Sequence, residues 1–352
     1  MKTIVISRTD KLGDVVLTLP MAGIIKDKFP NSRVIFLGNE YTEPLISTSK
    51  DVDLFIDFKR IEKLPFLKQV EVFKDFHADA IIHVFPNSLV ARLAFLANIT
   101  KRIGTSHRMW HWLFCNKLVD LGRKNSELHE AQLNLKLLEG LGLNANFSTN
   151  EIKNFFHLSK IKPLQNDFKH LLSKDRFNLI LHPKSNGSAR EWGLEKYYHL
   201  INCLPKERYK IFITGTKAEG EEIHKFINHF DDDVIDLTGK MNLCDLISFI
   251  DAADGLVAAS TGVMHIAAAL GKFVLGIFVP LRPIFPTRWA PIGQNAHFLV
   301  AEQPCEGCSN DGECLCIKRI SVQQVYKQLE NAYIDKFIKL NAANQNNRFK
   351  WQ

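Results

Sequence analysis

Short runs of consecutive apolar residues alternate with amphipathic stretches along the first half of the chain. Such runs, bounded by polar loops, are typical of buried parallel strands, whereas the stretches between them repeat apolar positions with a helical period. The pattern predicts strands at residues 3–7, 34–37, 54–58 and 80–85 and a first helix over residues 15–28. Repeated strand–helix–strand units imply a parallel sheet with helices on both faces.

The alternation stops over residues 144–176, where an interdomain connection with or without an edge strand is expected, and then resumes. Further strands are predicted at residues 178–181, 209–213, 234–236, 255–258 and 273–278. The fold class is therefore α/β, with a Rossmann-like domain over residues 1–160 and another over 175–320. A helix over residues 321–345 is expected to pack back on the first domain. Sheets of this kind bind ligands at the carboxyl ends of their strands.

Composition fits a globular protein more than a membrane protein. The chain has 352 residues, 46% of them apolar, which is enough for two cores. No apolar run has the length of a membrane span, and a strand pattern begins at the N-terminus. We therefore expect a cytoplasmic protein and consider peripheral contact with a membrane surface.

The net charge of +7 is unevenly distributed along the chain. Residues 1–175 contain 25 Lys and Arg against 19 Asp and Glu, which is most of the excess. A basic domain attracts anionic substrates or membrane surfaces, although an ordinary solvated surface is the simpler explanation. A nucleic-acid partner is not expected, because basic and aromatic residues do not interleave on a recognisable module.

The segment at residues 260–271 is the most informative of the chain. It follows the predicted strand at 255–258 and opens a helix of small residues through a Thr-Gly turn. Backbone N–H groups and the positive end of the helix dipole meet at such a turn, where phosphates commonly bind. Thr261, Gly262 and His265 are therefore candidates for an anion site.

A polar loop after the strand at residues 178–181 offers further phosphate ligands. Lys184, Ser185 and Arg190 could bind a diphosphate there, although an ordinary surface loop would have the same composition. Neither the dinucleotide fingerprint nor the P-loop pattern is present.

Two more loops follow strands of the same predicted sheet. Glu219 could accept hydrogen bonds from a ribose, and an equally good interpretation is that it stabilises the start of its own helix. Thr238 and Gly239 could approach a base with their backbone. Each signal is weak alone, and their convergence at one sheet edge predicts a nucleotide site.

The loop after the first strand carries candidate catalytic chemistry. Asp14 lies near a helix start, where a capping role is the simpler interpretation. In the alternative interpretation it is a general base that removes a proton from an attacking hydroxyl. The helix N-terminus together with Arg8 and Lys11 is then expected to lower its pKa and keep it ionised.

Two segments raise the question of a bound metal. The acidic run at residues 231–233 lies at the wrong end of its sheet for a nucleotide site and is interpreted as a solvated turn. Four cysteines form a cluster, but their spacing differs from common zinc sites, so metal binding is the weaker interpretation. These cysteines are Cys305, Cys308, Cys314 and Cys316. No metal or cofactor is expected.

In their order along the chain, the segments at residues 10–15, 182–183, 190–192 and 260–271 resemble the family 9 glycosyltransferases. The best-known members are the ADP-heptose:lipopolysaccharide heptosyltransferases. The helix at residues 129–134 and the cysteine-rich loop are also similar. The resemblance implies a GT-B fold, in which two Rossmann-like domains face each other across a cleft, with the acceptor on the first domain and the nucleotide sugar on the second. It also implies inverting, metal-independent transfer.

The resemblance assigns roles to the candidate residues. It implies that Asp14 is the base and that Glu219 binds the ribose. Ser260 occupies a position where many members have an acidic residue that contacts the donor sugar. At the donor diphosphate the resemblance implies Arg190, Thr261, Gly262 and His265, to which the composition of the loop adds Lys184 and Ser185. The basic residues of the first domain expected at the acceptor are Arg8, Lys11 and Arg102, although the stretch at 102–112 could equally form the core and rim of that domain.

The expected function is transfer of heptose from ADP-heptose, a co-substrate, to an anionic, lipid-linked acceptor of the lipopolysaccharide inner core. Two alternatives stay open on the sequence alone. One is a nucleotide-sugar epimerase or hydrolase of the same fold. The other is a nucleotide-sugar-binding protein without catalysis.

Overall fold

The computed structural model describes residues 2–230, 234–302 and 314–348 of the chain. These residues form two compact units. Unit 1 contains Met1–Pro163 together with Thr287–Gln294, and unit 2 contains Leu164–Pro286 and Asn295–Gln352. The two α/β units agree with the sequence pattern, but the return of residues 287–294 to unit 1 was not expected from it.

Unit 1 is built on a six-stranded parallel sheet in the order β3-β2-β1-β4-β5-β6. This is the doubly wound order, in which the chain starts at the centre and extends first to one edge and then to the other. The strands are β1 (Thr3–Ser7), β2 (Arg33–Gly38), β3 (Leu54–Asp57), β4 (Ala80–His83), β5 (Lys101–Thr105) and β6 (Lys117–Val119). The four predicted strands are confirmed, whereas β5 and β6 were missed.

The helices of unit 1 are mostly short. They are α1 (Leu12–Val16), α2 (Leu19–Lys28), α3 (Glu43–Ile46), α4 (Phe58–Glu62), α5 (Phe66–Asp75), α6 (Ser88–Leu96), α7 (Met109–Phe114), α8 (Glu130–Lys136) and α9 (Thr149–Ile152). The single helix predicted over residues 15–28 is wrong. Two helices form instead, and the second begins after Thr18, the N-cap of α2. Pro20 favours the first turn of a new helix over the interior of a longer one.

Unit 2 repeats the doubly wound order, with its sheet arranged as β12-β11-β10-β7-β8-β9. The strands are β7 (Phe177–His182), β8 (Tyr209–Ile213), β9 (Val234–Asp236), β10 (Gly255–Ala259), β11 (Phe273–Phe278) and β12 (Ala296–Val300). All five strands predicted in this half are confirmed. Strand β12 was missed because it is an edge strand with partly exposed residues.

The remaining helices are α10 (Asn166–Lys169), α11 (Leu194–Cys203), α12 (Lys217–Ile227), α13 (Leu243–Ala252), α14 (Gly262–Ala269), α15 (Pro286–Trp289), α16 (Leu315–Lys318) and α17 (Val322–Arg348). The expected connection at residues 144–176 contains short helices, and an isolated bridge between Ser49 and Leu158 replaces the edge strand considered there.

The packing of α17 differs from the expectation that this helix lies on the first domain. Val325 and Leu329 are buried in the apolar core of unit 2. The hydroxyl of Tyr209 donates a hydrogen bond to the backbone carbonyl of Leu329 at 3.0 Å. Neither α17 nor another helix in the described ranges is both long and apolar enough to cross a membrane.

Candidate active site

The loop that carries Asp14 follows β1, at the carboxyl edge of the unit 1 sheet. Strands β2 and β4 lie on either side of β1, so the strand order reverses at β1. Doubly wound sheets bind ligands at such a switch point. Asp14 lies in the first turn of α1, whose N-cap is Lys11. The Asp14 side chain is 17% exposed, and its carboxylate pairs with the guanidinium of Arg8. Asp14 is therefore not the N-cap of this helix.

Arg8 is the centre of a buried polar cluster. Its Nε donates to Asp10 Oδ1 at 2.6 Å, and its Nη1 donates to Asn134 Oδ1 at 3.1 Å. Nη1 also lies 3.4 Å from Glu130 Oε1. The Arg8 residue is only 3% exposed. Its donors are thus engaged by side chains of this chain on the loop after β1 and on α8.

Glu130 binds two more arginines at the same place. Arg123 Nε donates to Glu130 Oε1 at 3.2 Å, and Arg288 Nη2 donates to Glu130 Oε2 at 2.5 Å. Arg288 also donates to the backbone carbonyl of Arg123 at 3.0 Å. We call the three arginines and three carboxylates the buried ion cluster; its members are Arg8, Asp10, Asp14, Arg123, Glu130 and Arg288. Its formal charges cancel when all three carboxylates are ionised.

Residues 287–294 are held on unit 1 by a second contact beside this cluster. The side chain of His129 accepts a hydrogen bond from the backbone of Ala131 at the start of α8. Its Nε2 is 2.8 Å from the backbone carbonyl of Ala290. Burial lowers the pKa of His129 to about 4, so the ring is neutral and Nε2 donates to that carbonyl near pH 7. The segment that supplies Arg288 is therefore attached to α8 and its N-cap at two residues, Arg288 and Ala290.

The electrostatics of Asp14 differ from the sequence-based expectation. Burial raises its pKa to about 6, and Asp10 and Glu130 add to the increase, whereas Arg8 opposes it. The expectation of a lowered pKa is therefore wrong, because it considered the nearby cations but not the loss of water around the carboxylate. A pKa near 6 leaves Asp14 mostly ionised at neutral pH and still basic enough to accept a proton.

The pKa of Glu130 is shifted in the opposite direction from that of Asp14. Burial alone would raise its pKa, but the three arginines around it together hold the pKa below its usual value. Glu130 is thus a permanent anion of the cluster, and Asp14 is the carboxyl group whose protonation changes near pH 6. Perturbed carboxyl groups at a sheet switch point are typical of active sites.

The three residues expected at the acceptor occupy different places. Lys11 is exposed at the carboxyl edge of the sheet, whereas Arg8 is buried in the ion cluster. Arg102 lies near the amino-terminal end of β5, and its guanidinium donates to the backbone carbonyls of Phe114 at 2.7 Å and Ile99 at 2.6 Å. Arg102 therefore lies away from the loop that carries Asp14, and its guanidinium holds the protein backbone.

In unit 2, the candidate diphosphate loop after β7 is organised by Glu191. Lys184 Nζ lies 2.8 Å from Glu191 Oε2 and 3.0 Å from Glu222 Oε1. Glu191 Oε1 accepts from the backbone N–H of Ser185 at 2.9 Å and from its hydroxyl at 3.1 Å. Arg190 follows Ser185 in this loop and is partly exposed. The Glu191 carboxylate therefore already accepts hydrogen bonds from Lys184 and Ser185, which were expected to donate to a phosphate.

The Thr-Gly turn has the predicted structure. Thr261 is the N-cap of α14, and its hydroxyl accepts from the backbone N–H of Met264 at 3.4 Å. Gly262 is the first residue of the helix, and His265 is one turn later and 3% exposed. Ser260 lies between β10 and this turn. Because β10 pairs with β7, the turn and the loop that contains Lys184 lie at neighbouring strand ends.

The two candidate nucleoside loops contact each other closely. The backbone N–H of Gly239 donates to the carbonyl of Gly215 at 2.9 Å. Gly239 has a φ of +67°, and a Cβ there would lie 2.9 Å from Lys217, so a larger residue would not fit. The Thr238 hydroxyl donates to Asp236 at 2.7 Å.

Glu219 has the structural role that the sequence left as an equal alternative. Its Oε2 accepts from the Thr216 backbone N–H at 2.7 Å and from the Thr216 hydroxyl at 3.0 Å. The Thr216 hydroxyl in turn accepts from the Glu219 N–H, which completes a capping box at the start of α12. A ribose hydroxyl at Glu219 would share a carboxylate that already holds this helix start.

The segments that raised the question of a bound metal lie only partly within the described ranges of the chain. There, no group of three or more His, Cys, Asp or Glu side chains is placed to hold a metal ion. Cys305, Cys308 and the acidic run at 231–233 lie outside the described residues. Cys314 and Cys316 are buried in the apolar core of unit 2.

Sequence reasoning missed the residues that complete the site in unit 1. Glu130 and Asn134 lay in a recognised segment but received no role, and Arg123 and Arg288 were not singled out. Arg288 and Glu130 are 158 residues apart in the chain. No local pattern joins them, because the contact depends on the return of residues 287–294 to unit 1. In unit 2, Glu191 was likewise quoted without a role.

The family model described as glycosyltransferase family 9 (heptosyltransferase) matches residues 71–316, which is more than half of the chain. The chain belongs to glycosyltransferase family 9. This membership makes it a glycosyltransferase of the heptosyltransferase family. It disfavours the epimerase, the hydrolase and the binding protein without catalysis.

Named relatives of this family 9 chain cover most of its length. It is 25% identical over 329 residues to lipooligosaccharide heptosyltransferase 2 of Campylobacter jejuni, covering 91% of this chain and 95% of the relative. It is 22% identical over 298 residues to lipopolysaccharide heptosyltransferase 3 of Escherichia coli K12, covering 80% and 83%. Both of these relatives are named as heptosyltransferases, one of lipooligosaccharide and one of lipopolysaccharide.

The fold agrees with the same family. The structure of E. coli ADP-heptose LPS heptosyltransferase II matches with a TM-score of 0.72 and 18% identity, over 96% of this chain and 99% of that one. At this identity the match shows the fold alone. Two doubly wound units with six parallel strands each are the GT-B fold class that the sequence predicted.

Proposed function

We propose that this family 9 enzyme is an inverting, metal-independent transferase that moves heptose from ADP-heptose to the inner core of a lipopolysaccharide acceptor, with Asp14 as the general base. The observation that carries the proposal is the Asp14 carboxylate at the switch point of unit 1, with a pKa raised to about 6. A base is most effective when its pKa lies near the working pH.

The proposed reaction makes one bond and breaks one. An acceptor hydroxyl gives its proton to Asp14, and its oxygen attacks the anomeric carbon of the heptose from the face opposite the phosphate. The bond between that carbon and the phosphate oxygen breaks, so the configuration inverts and ADP leaves with the bonding pair. The Arg8 cation beside Asp14 keeps the carboxylate oriented before the proton arrives.

The leaving ADP acquires negative charge that unit 2 can stabilise. Lys184, Arg190 and the N-terminus of α14 at Gly262 supply cations and backbone N–H groups for this purpose. Ser185, Thr261 and His265 would contact the same phosphates, and Ser260 the donor sugar. Binding requires Lys184 to exchange its carboxylate partners for phosphate oxygens.

The nucleoside would lie against the two adjoining loops after β8 and β9. Thr238 and Gly239 would approach the base through their backbone, and Glu219 would meet the ribose while keeping its capping box. The close contact between these loops supports this arrangement, because it makes their shared surface rigid.

The acceptor would bind on unit 1, where Lys11 is the exposed cation near Asp14. Arg8 would act on the acceptor through Asp14. A lipid-linked acceptor requires the enzyme to work at a membrane surface, so we infer that a cytoplasmic enzyme makes peripheral contact with the inner membrane.

The test is a transfer assay with purified protein and a panel of nucleotide sugars. Lipopolysaccharide from a heptose-deficient strain serves as the acceptor, and mass spectrometry identifies the added sugar. The proposal predicts transfer from ADP-heptose, an inverted anomeric configuration by NMR, and full activity in EDTA. Efficient transfer only from a different nucleotide sugar, or retention of configuration, would overturn it.

A further inference from the structure

Helix α7 of unit 1 presents an apolar face to solvent. Met109 is 80% exposed, Trp112 is 64% exposed and Leu113 is 69% exposed. Their spacing of three and four residues places all three on one side of the helix. On another side, His111 is fully buried and packs so closely on Gly104 that a Cβ there would lie 2.5 Å from the imidazole. The inward packing of α7 is thus complete without its most apolar residues.

The apolar surface continues onto the neighbouring helix α6. Phe95 and Leu96 at its end are exposed by 43% and 37%, and the ring of Phe95 lies 5.8 Å from that of Phe114 on α7. We call this surface the α6–α7 patch; its members are Phe95, Leu96, Met109, Trp112 and Leu113. Contiguous apolar surface of this kind on a soluble protein usually marks an interaction site.

The stretch of chain that carries the α6–α7 patch is basic. Between Asp79 and Asp120 the chain has no acidic residue, but it has five basic ones: Arg92, Lys101, Arg102, Arg108 and Lys117. Arg102 holds its guanidinium over the ring of Phe95 at 5.3 Å. Asp120 at the margin lies 2.7 Å from the imidazole of His107. The patch is therefore an apolar surface with a basic border.

We propose that the α6–α7 patch docks unit 1 on the surface of an anionic lipid bilayer. Apolar side chains would enter the interfacial region, and the basic border would meet lipid phosphates. The indole of Trp112 suits this boundary, because its Nε1 is already satisfied by the carbonyl of Ser106 at 2.7 Å while its ring remains exposed. A protein partner would be expected to offer acidic side chains, whereas a bilayer offers both phosphate and hydrocarbon.

This inference rests on the proposed function in one respect, since a lipid-linked acceptor explains why the enzyme would dock on a membrane. The two can fail separately. Vesicle binding needs no sugar nucleotide, and transfer to a delipidated, water-soluble core oligosaccharide needs no membrane.

The experiment is cosedimentation of the full chain with vesicles of phosphatidylethanolamine and phosphatidylglycerol, compared with phosphatidylcholine vesicles. The wild type should bind the anionic vesicles, bind the neutral ones weakly, and lose affinity as salt is raised. The double variant Met109→Ser, Leu113→Ser should bind about tenfold or more weakly, because it loses buried apolar area. Lys117→Glu should weaken binding through charge alone. Ile338→Ser is the matched control, since Ile338 is 61% exposed on α17, and it should bind like the wild type.

A second measurement reports on the patch directly. Brominated acyl chains should quench the fluorescence of the wild type on anionic vesicles, and Trp112→Phe should lose most of that quenching. Three outcomes would overturn the proposal: equal binding to neutral and anionic vesicles, unchanged binding by the folded double variant, or a dimer that the double variant dissociates in the absence of lipid. The double variant should keep full transfer to the water-soluble acceptor.

Discussion

The carboxylate of Asp14 is paired with the guanidinium of Arg8 at the carboxyl edge of the unit 1 sheet, and both side chains are largely buried. A buried carboxylate is normally protonated unless a cation is close, and a carboxylate beside an exposed arginine has a lowered pKa. Here the two effects compete, and burial prevails, which raises the pKa of Asp14 to about 6. Asp14 is therefore mostly ionised at neutral pH and can still accept a proton.

The pH dependence of transfer should report this pKa. Activity should fall as the pH drops through about 6, where Asp14 takes up a proton. Asp10 raises the pKa of Asp14 through its charge, so Asp10→Asn should move the acidic limb to lower pH. The check is the profile of kcat/KM for both proteins with the same acceptor. An acidic limb that stays in place in Asp10→Asn would contradict the assignment of that limb to Asp14.

The same pKa has a consequence for stability. The pKa of Asp14 is higher in the folded state than the value of 3.8 expected when the chain is unfolded, so the protonated form favours folding. This contribution is present below pH 3.8 and is lost as the pH rises through about 6, by up to about 3 kcal/mol. Relative to Asp14→Asn, the wild type should therefore become less stable over this window, measured by urea unfolding at each pH. A stability difference that does not change with pH would rule this out.

Glu130 should matter more for stability than for proton transfer. Its carboxylate contacts three arginines of the buried ion cluster, and Glu130→Gln removes the one negative charge that all three contact. Removal of one partner from a buried network of this kind costs about 3–5 kcal/mol. Urea unfolding should show this loss, whereas Glu71→Gln, which breaks an exposed ion pair with Lys68, should change stability by less than about 1 kcal/mol. Equal effects of the two variants would show that the cluster does not stabilise unit 1.

Lys184 should contribute to ADP binding. Its ammonium is placed at the end of β7 by Glu191 and Glu222, and a phosphate would replace them as its partner. Lys184→Met should weaken ADP binding by about 10- to 100-fold, because a hydrogen bond to a charged group is lost. Isothermal titration calorimetry measures this. Lys225→Met, which removes an exposed lysine from α12, is the control. If both variants bind ADP equally well, Lys184 is not a phosphate ligand.

Strands could be predicted from the sequence where they are completely buried. The prediction failed for strands that are only partly buried. Strands such as β1 and β10 are buried along their whole length, so their residues form unbroken apolar runs. Strands β5, β6 and β12 were missed because they begin with polar residues, are short, or are half exposed at an edge. Periodicity records burial, and edge positions carry little of that signal.

The candidate site could be predicted from the sequence only where its features depend on adjacent residues. Features confined to one loop, such as the N-cap at Thr261 and the helix start at Gly262, were predicted correctly. The pKa of Asp14 was predicted in the wrong direction, because burial depends on tertiary packing that adjacent residues do not reveal. The contact between Arg288 and Glu130 could not be predicted, since 158 residues separate them.

The most direct test of Asp14 as the general base is Asp14→Asn, with transfer and donor binding measured on the same preparation. The account predicts that transfer from ADP-heptose falls by about 10²- to 10⁴-fold, the usual contribution of a general base, while the Kd for ADP-heptose stays unchanged. Transfer within a few-fold of the wild type, or a parallel loss of donor binding, would contradict the role assigned to Asp14.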